Sequence, residues 1–132
     1  MSKKRVLLID DEQTFTRAIK FYLEKTDRYD VLTAHDGSTG LWAARSTRPD
    51  LILLDIVMPD MDGGHVAAEI HSDATLKHIP IVFITAIVSK QEAASQASLV
   101  GGHRFLTKPV SAKQVLSCLD EVLMGASPAA DG

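Results

Sequence analysis

Three runs of four apolar residues, each followed by a polar residue, most constrain how this chain can fold. They occupy residues 6–9, 51–54 and 81–84 and consist only of Val, Leu, Ile and Phe. Short apolar runs of this kind are typical of strands buried on both faces of a sheet. We therefore predict three central strands here, and two weaker strands near residues 30–34 and 104–106.

Helical segments are predicted between successive strands. Phe15, Ile19 and Leu23 recur at helical spacing after the first strand, and further helices are predicted near residues 38–46 and 65–71. Strands that are separated by single helices pair in parallel through right-handed crossovers. The expected fold class is therefore α/β, with a doubly wound parallel sheet that carries helices on both faces.

Two capping boxes predict where the last two helices begin. Ser89 with Glu92, and Ser111 with Gln114, have the Ser-x-x-Glu/Gln spacing in which two side chains satisfy the backbone at a helix start. Small residues dominate the fourth predicted helix, so we expect it to be the least firmly packed. Residues 125–132 are small and contain proline, and we expect this C-terminal tail to be disordered.

Composition and charge exclude several classes of protein. The chain has 132 residues, enough for one domain, and its formal net charge of −3 favours neither nucleic acid nor a membrane as a direct partner. Its apolar runs are too short to span a bilayer, and no secretory signal is recognisable. Cys118 is the only cysteine, which excludes a disulfide or a Cys-based zinc site within one chain. We expect a cytoplasmic protein.

Carboxylates follow two of the predicted central strands. Asp10 and Asp11 come after the first strand and Asp55 after the third. Ligands of parallel sheets bind beyond the carboxyl ends of the strands. If the first and third strands are neighbours, the three carboxylates converge there and repel one another unless a cation compensates. Hard oxygen ligands without Cys or paired His favour Mg²⁺ over zinc.

A hydroxyl and an ammonium group belong to the same edge of the sheet. Thr85 follows the fourth predicted strand and Lys108 follows the fifth. Next to a metal-bound carboxylate, these groups could stabilise the oxygens of a phosphoryl group. Asp55 would then be the nucleophile that forms an aspartyl phosphate.

Four motifs in order resemble the receiver domain of bacterial two-component response regulators. They are Ile-Asp-Asp-Glu at residues 9–12, Leu-Asp-Ile-Val-Met-Pro-Asp-Met-Asp-Gly at 54–63, Thr-Ala at 85–86 and Phe-Leu-Thr-Lys-Pro at 105–109. The resemblance covers residues 4–124 as one domain. It implies a flavodoxin-like fold with the strand order 2-1-3-4-5.

The resemblance also implies roles for the acidic residues and for Lys108. Asp55 would be the phosphoacceptor. Asp11 and Asp55 would bind Mg²⁺ directly, together with the backbone carbonyl of Val57, whereas Asp10 would act largely through water. Lys108 would pair with Asp55 and later with the phosphoryl oxygens.

Three further positions match switch or structural elements of that family. Thr85 would be the switch hydroxyl, and Phe105 the aromatic side chain that turns inward when Thr85 moves. The peptide bond before Pro109 is expected to be cis and to direct Lys108. In that family, the positions of Val57 and Ile87 border the path of the hydrolytic water. Both residues are apolar here, so we expect slow loss of phosphate.

The implied function is a phosphorylation-dependent switch. A histidine kinase or a histidine phosphotransfer protein would donate the phosphoryl group. Phosphorylation would change the surface formed by the fourth helix, fifth strand and fifth helix, and thereby control a downstream protein or output domain. A phosphorylation-dependent dimer is one assembly that the resemblance allows. Such a domain assists its own phosphorylation but is a signalling module rather than a metabolic enzyme.

Two alternatives stay open at the level of sequence. One is a receiver-like interaction domain that works without phosphorylation, although such domains usually lose an acid, the Thr or the Lys. The other is a Mg²⁺-dependent phosphatase, although Asp10 and Asp11 lack the Asp-x-Asp spacing of those enzymes. The sequence does not separate a stand-alone regulator from a fragment of a longer regulator or hybrid kinase.

Overall fold

Five parallel strands form a single sheet in the order β2-β1-β3-β4-β5. The structure is a computed structural model that describes residues 3–86 and 104–124. The strands are β1 (Lys4–Ile9), β2 (Tyr29–Ala34), β3 (Leu51–Asp55), β4 (Ile81–Thr85) and β5 (Arg104–Thr107). The order and the parallel pairing confirm the predicted fold class.

Four helices are described, and they cover both faces of the sheet. They are α1 (Gln13–Lys25), α2 (Gly37–Thr47), α3 (Gly63–Ser72) and α4 (Ala112–Met124), so that α4 is the fifth helix predicted from the sequence. The fourth predicted helix and the predicted disordered tail lie outside the described residues. None of the described helices is long and apolar enough to cross a membrane.

Alternate residues of each central strand supply two separate apolar cores. In β1, Leu7 and Ile9 pack with residues of α2 and α3, such as Ile70. Val6 and Leu8 point to the other face and pack with residues of α1 and α4. Because successive side chains of a strand alternate between faces, a fully apolar run is what a sheet covered on both sides requires.

The helix starts are defined by side chains of the loops before them. Asp36 accepts from Thr39 N at 2.7 Å at the start of α2, and Asp62 accepts from His65 N at 2.8 Å at the start of α3. At α4, Gln114 N donates to Ser111 Oγ and Ser111 N donates to Gln114 Oε1, so the predicted capping box is formed.

Strands β3 and β4 are one residue longer than their apolar runs. Asp55 pairs with Ile84, and Thr85 pairs with Thr107. These two polar residues are therefore the last residues of strands rather than loop residues, and the ladder restrains their backbone. Trp42 on α2 is 69% exposed.

Candidate functional site

The three acidic residues converge because β1 and β3 are neighbours. Ile9 pairs with Leu54, so the next residues, Asp10 directly after β1 and Asp55 at the end of β3, lie at the same level of the sheet. One carboxylate oxygen from each of Asp10, Asp11 and Asp55 lies within 4.8 Å of the others. Asp10 is fully buried and Asp55 is 5% exposed, whereas Asp11 is exposed. The structure thus brings together the carboxylates predicted from the sequence.

Close packing places the loop after β3 against Asp55. Gly63 N donates to Ile56 O at 2.7 Å, and a Cβ on Gly63 would lie 2.5 Å from the backbone oxygen of Asp55. Only glycine fits such an approach without displacing the backbone. The start of α3 therefore sits directly behind the acidic cluster.

The environment of Asp55 opposes its negative charge. Burial and the charge of Asp10 raise the pKa of the Asp55 carboxyl to about 7, and a hydrogen bond with Asp11 acts in the same direction. The charge of Lys108 and a hydrogen bond from Val57 N, at 3.3 Å, only partly offset this. A cation would favour the ionised form that a nucleophile needs.

Two buried polar atoms at this edge have no hydrogen-bond partner among the described residues. They are Asp10 Oδ2 and Thr85 Oγ1. Buried polar atoms of native proteins are nearly always satisfied, so the Thr85 hydroxyl indicates a place for a ligand here, while Asp10 Oδ2 has only the ion pair with Lys108. Three hard carboxylates and this hydroxyl fit a divalent cation such as Mg²⁺ with an anionic group beside it.

Lys108 is held at this edge, but its partners differ from the expectation. Its Nζ lies 2.9 Å from Asp10 Oδ2, at angles outside those of a hydrogen bond, and also contacts Glu12 Oε1. The described ion pairs of Lys108 are with the buried Asp10 and the adjacent Glu12, and its expected pairing with Asp55 stays a prediction. Burial lowers the pKa of Lys108, but the adjacent carboxylates of Asp10 and Glu12 outweigh this effect and the pKa is raised.

The backbone around Lys108 is tied to the neighbouring strand. Lys108 N donates to Thr85 O at 2.8 Å, and the bond between Lys108 and Pro109 is cis. The ring of Phe15 lies beneath the ammonium group, with 4.7 Å between Nζ and the ring centroid. Glu12 and Phe15 were not predicted as site residues, since nothing local to residues 9–15 indicates a contact with residue 108.

A cavity of about 440 Å³ opens beside the ammonium group of Lys108. It is lined by Glu12, Phe15, Ala86, Lys108, Pro109 and Val110. Its walls are mostly apolar, and the two charged residues stand next to the acidic cluster. A reacting group of a partner could therefore approach the edge of the sheet from this side.

The remaining predicted site residues, Val57 and Phe105, lie at the margin of the acidic cluster. Val57, two residues after Asp55 in the chain, is 67% exposed. Phe105 is partly buried on β5, and its ring centroid lies 6.0 Å from that of Phe83. The inward turn of Phe105 and the metal-binding role of the Val57 carbonyl stay predictions.

Comparison with known proteins identifies relatives along most of the chain. The family model described as "Response regulator receiver domain" matches residues 6–120. The chain is 41% identical over 106 residues to Response regulator PleD of Caulobacter vibrioides, covering 80% of this chain and 23% of that protein. It is 32% identical to Protein PilH of Pseudomonas aeruginosa, covering 92% of this chain and 98% of that protein.

A solved structure gives the same architecture. The Mn²⁺-bound form of response regulator Rcp1 superposes with a TM-score of 0.77 at 26% sequence identity, covering 94% of this chain and 97% of that one. Since the chain spans about a quarter of PleD but nearly all of PilH, its relatives include both longer proteins and proteins of its own length.

Proposed function

Since the chain belongs to the response regulator receiver domain family, we propose that it is a switch that accepts a phosphoryl group on Asp55. The observation that supports this most is the geometry around Asp55. A nearly buried carboxylate ends β3, within 4.8 Å of two further acids, and an ammonium group lies at the same edge with a buried hydroxyl that no described residue hydrogen-bonds. A domain that only binds partners would not need these acids, hydroxyl and ammonium groups at one edge of the sheet.

The proposed reaction is a transfer from a phosphohistidine of the donor protein. A carboxylate oxygen of Asp55 attacks phosphorus, the P–N bond breaks, and the leaving imidazole nitrogen keeps the electron pair and takes a proton. Lys108 and Thr85 donate hydrogen bonds to the phosphoryl oxygens as charge develops on them. Mg²⁺, held by Asp10, Asp11, Asp55 and the Val57 carbonyl, would supply positive charge at the carboxylate and at the phosphoryl group.

The site fits a bound cation on its own chemistry. Like charges at Asp10 and Asp55 raise the pKa of Asp55, and a divalent cation removes that penalty. The solved relative in a Mn²⁺-bound form shows that a receiver of this fold takes such an ion. We extend this property to the present chain as part of the proposal.

The proposed output is a change on the surface around β5. Thr85 would move toward the phosphoryl group, and Phe105, which packs on Phe83 beside it, would turn into the space that Thr85 leaves. The surface that changes includes the predicted fourth helix, β5 and α4. Its partners would be a histidine kinase or histidine phosphotransfer protein and a downstream protein, in the cytoplasm, with dimerisation as a further readout.

Intact-mass spectrometry tests the proposal directly. The protein is incubated with acetyl phosphate and Mg²⁺, with a chelator control and the variants Asp55→Ala and Asp30→Ala. Asp30 is an exposed aspartate of β2 near the opposite edge of the sheet, so it controls for loss of a carboxylate. A single phosphoryl adduct that requires both Mg²⁺ and Asp55, but not Asp30, is expected.

A different result would change the assignment. No adduct on a folded wild-type protein would contradict phosphotransfer and favour the phosphorylation-independent interaction domain. An adduct that persists in Asp55→Ala would contradict Asp55 as the acceptor.

A further inference from the structure

We propose that Glu12 is the resting partner of Lys108 and competes with the phosphoryl group for its ammonium. This inference rests on the proposed function, because it concerns Lys108 as a ligand of phosphoryl oxygens. It adds a positioning residue that lies outside the set of acids, hydroxyl and lysine described above.

The position of Glu12 at the N-cap of α1 gives the first reason for this proposal. Glu12 occupies the N-cap, yet its side chain makes no capping hydrogen bond, whereas Asp36 and Asp62 cap α2 and α3. Aspartate, serine, threonine and asparagine are the residues preferred for capping. The longer side chain of Glu12 instead reaches Lys108, which is 96 residues away in the chain.

The contacts of the Lys108 ammonium group give the second reason for this proposal. The ammonium group contacts Asp10 and Glu12 and lies over the ring of Phe15. Asp10 is fully buried, so water cannot solvate its carboxylate if Lys108 moves away, whereas the Glu12 side chain is 60% exposed. Water can therefore solvate Glu12 when it releases the lysine.

An arriving phosphoryl group would displace Glu12 rather than Asp10. Lys has three N–H donors, and exchanging an exposed carboxylate for a phosphoryl oxygen leaves the buried pair with Asp10 intact. Exposed ion pairs are weak, so we expect Glu12 to reduce the availability of Lys108 by about two- to fivefold. Phosphorylation would be correspondingly slower than without Glu12.

Three variants separate loss of the ion pair from loss of charge. Glu12→Gln removes the carboxylate. Glu12→Asp keeps the net charge but is one methylene shorter, and at an N-cap it can bond the helix backbone instead. Glu69→Gln on α3 removes a carboxylate that pairs with Arg45 and so serves as the control.

The first readout is the rate of adduct formation at Asp55 with acetyl phosphate at saturating Mg²⁺. Glu12→Gln and Glu12→Asp are both expected to react about two- to fivefold faster than wild type, with Glu69→Gln unchanged. Rates equal to or below wild type in both variants would overturn the proposal. An increase in Glu12→Gln alone would also overturn it, because weaker repulsion of the anionic donor would then suffice.

The second readout does not depend on phosphorylation. In the metal-free protein, the side-chain ¹⁵Nζ resonance of Lys108, assigned with Lys108→Arg, is expected to shift in Glu12→Gln and Glu12→Asp but not in Glu69→Gln. An unchanged resonance would contradict the ion pair itself. If no variant forms an adduct, the proposed function fails and the competition with it, while this resonance still decides whether Glu12 holds Lys108.

Discussion

Two polar clusters lie at opposite edges of the sheet and differ in how far they are satisfied. At the amino edge, the fully buried Tyr29 donates to Asp120 Oδ1 at 2.7 Å, and Arg28 Nη2 lies 3.2 Å from the other oxygen. At the carboxyl edge, Asp55 faces other acids, and Asp10 and Thr85 each keep a buried oxygen that has no hydrogen-bond partner within residues 3–86 and 104–124. The first cluster fastens β2 to α4, whereas the second is the candidate functional site.

Burial has opposite consequences at the two edges. It raises the pKa of the Tyr29 phenol, with the hydrogen bond to Asp120 acting in the same direction, and the neutral phenol is the form present near neutral pH anyway. Burial also raises the pKa of Asp55, to about 7, but there it disfavours the ionised form that chemistry requires. The same physical effect stabilises one edge and strains the other, which favours the second as the candidate functional site.

The largest expected effect is on Asp55 in the metal-free protein. Its folded pKa of about 7 exceeds the usual value of 3.8, so its contribution to stability is present below pH 4 and is lost as pH rises to 7. Asp55→Asn should therefore gain stability relative to wild type with rising pH, by on the order of 3–4 kcal/mol between pH 4 and pH 8. Urea unfolding of both proteins in a chelator measures this difference.

Added Mg²⁺ provides the control for Asp55→Asn. It should stabilise wild type at pH 8 more than the variant, because the carboxylate it needs is present only in wild type. If the difference in stability between wild type and Asp55→Asn stays constant with pH, the pKa of Asp55 is not raised by folding. The two edges of the sheet would then not differ in the way argued above.

A smaller effect is expected at the satisfied edge. Tyr29→Phe removes the hydroxyl that donates to the partly buried Asp120 and should lower the free energy of unfolding by about 1–2 kcal/mol. The raised pKa of Tyr29 leaves its contribution fully present below pH 10, so the loss should be the same at pH 5 and pH 8. Tyr22→Phe, in which no described hydrogen bond is removed, is the matched variant; an equal loss there would refute the role of Asp120.

The smallest effect concerns the lifetime of the phosphoryl group. The exposed, apolar side chain of Val57 next to Asp55 offers no hydrogen bond to an attacking water. Val57→Asn adds such a group and should speed loss of phosphate by about two- to tenfold, the worth of one hydrogen bond. The phosphorylated form is followed by mass spectrometry, with Val57→Leu as the apolar control; wild-type decay as fast as that of Val57→Asn would contradict the expectation.

Much of the fold follows from local patterns in the chain. The apolar runs that contain Leu7, Leu53 and Phe83 became central strands, because a strand with both faces covered needs apolar residues at every position. The predicted strand limits ended one residue early at Asp55 and Thr85. Polarity suggested loops there, whereas pairing with the neighbouring strand keeps both residues in the sheet.

The contacts of the candidate site were harder to predict. Nothing near Glu12 in the chain points to Lys108, and the ion pair of Lys108 with Asp10 does not follow from the sequence pattern either. Charged groups pair according to distances in space and to their exposure, and both depend on how β1 and β5 are placed. Sequence patterns describe neither quantity.

The sequence by itself determined the five strands and the four described helices, the α/β class and the placement of acids, hydroxyl and lysine at strand ends, because hydrophobic periodicity and strand termination are local properties. Only the tertiary structure decided that Asp10 and Asp55 meet and that Glu12 holds Lys108. Those outcomes depend on β1 lying beside β3 and on the burial of each charge. Strand order and burial arise when distant segments pack together, so they are properties of the whole sheet rather than of any one segment.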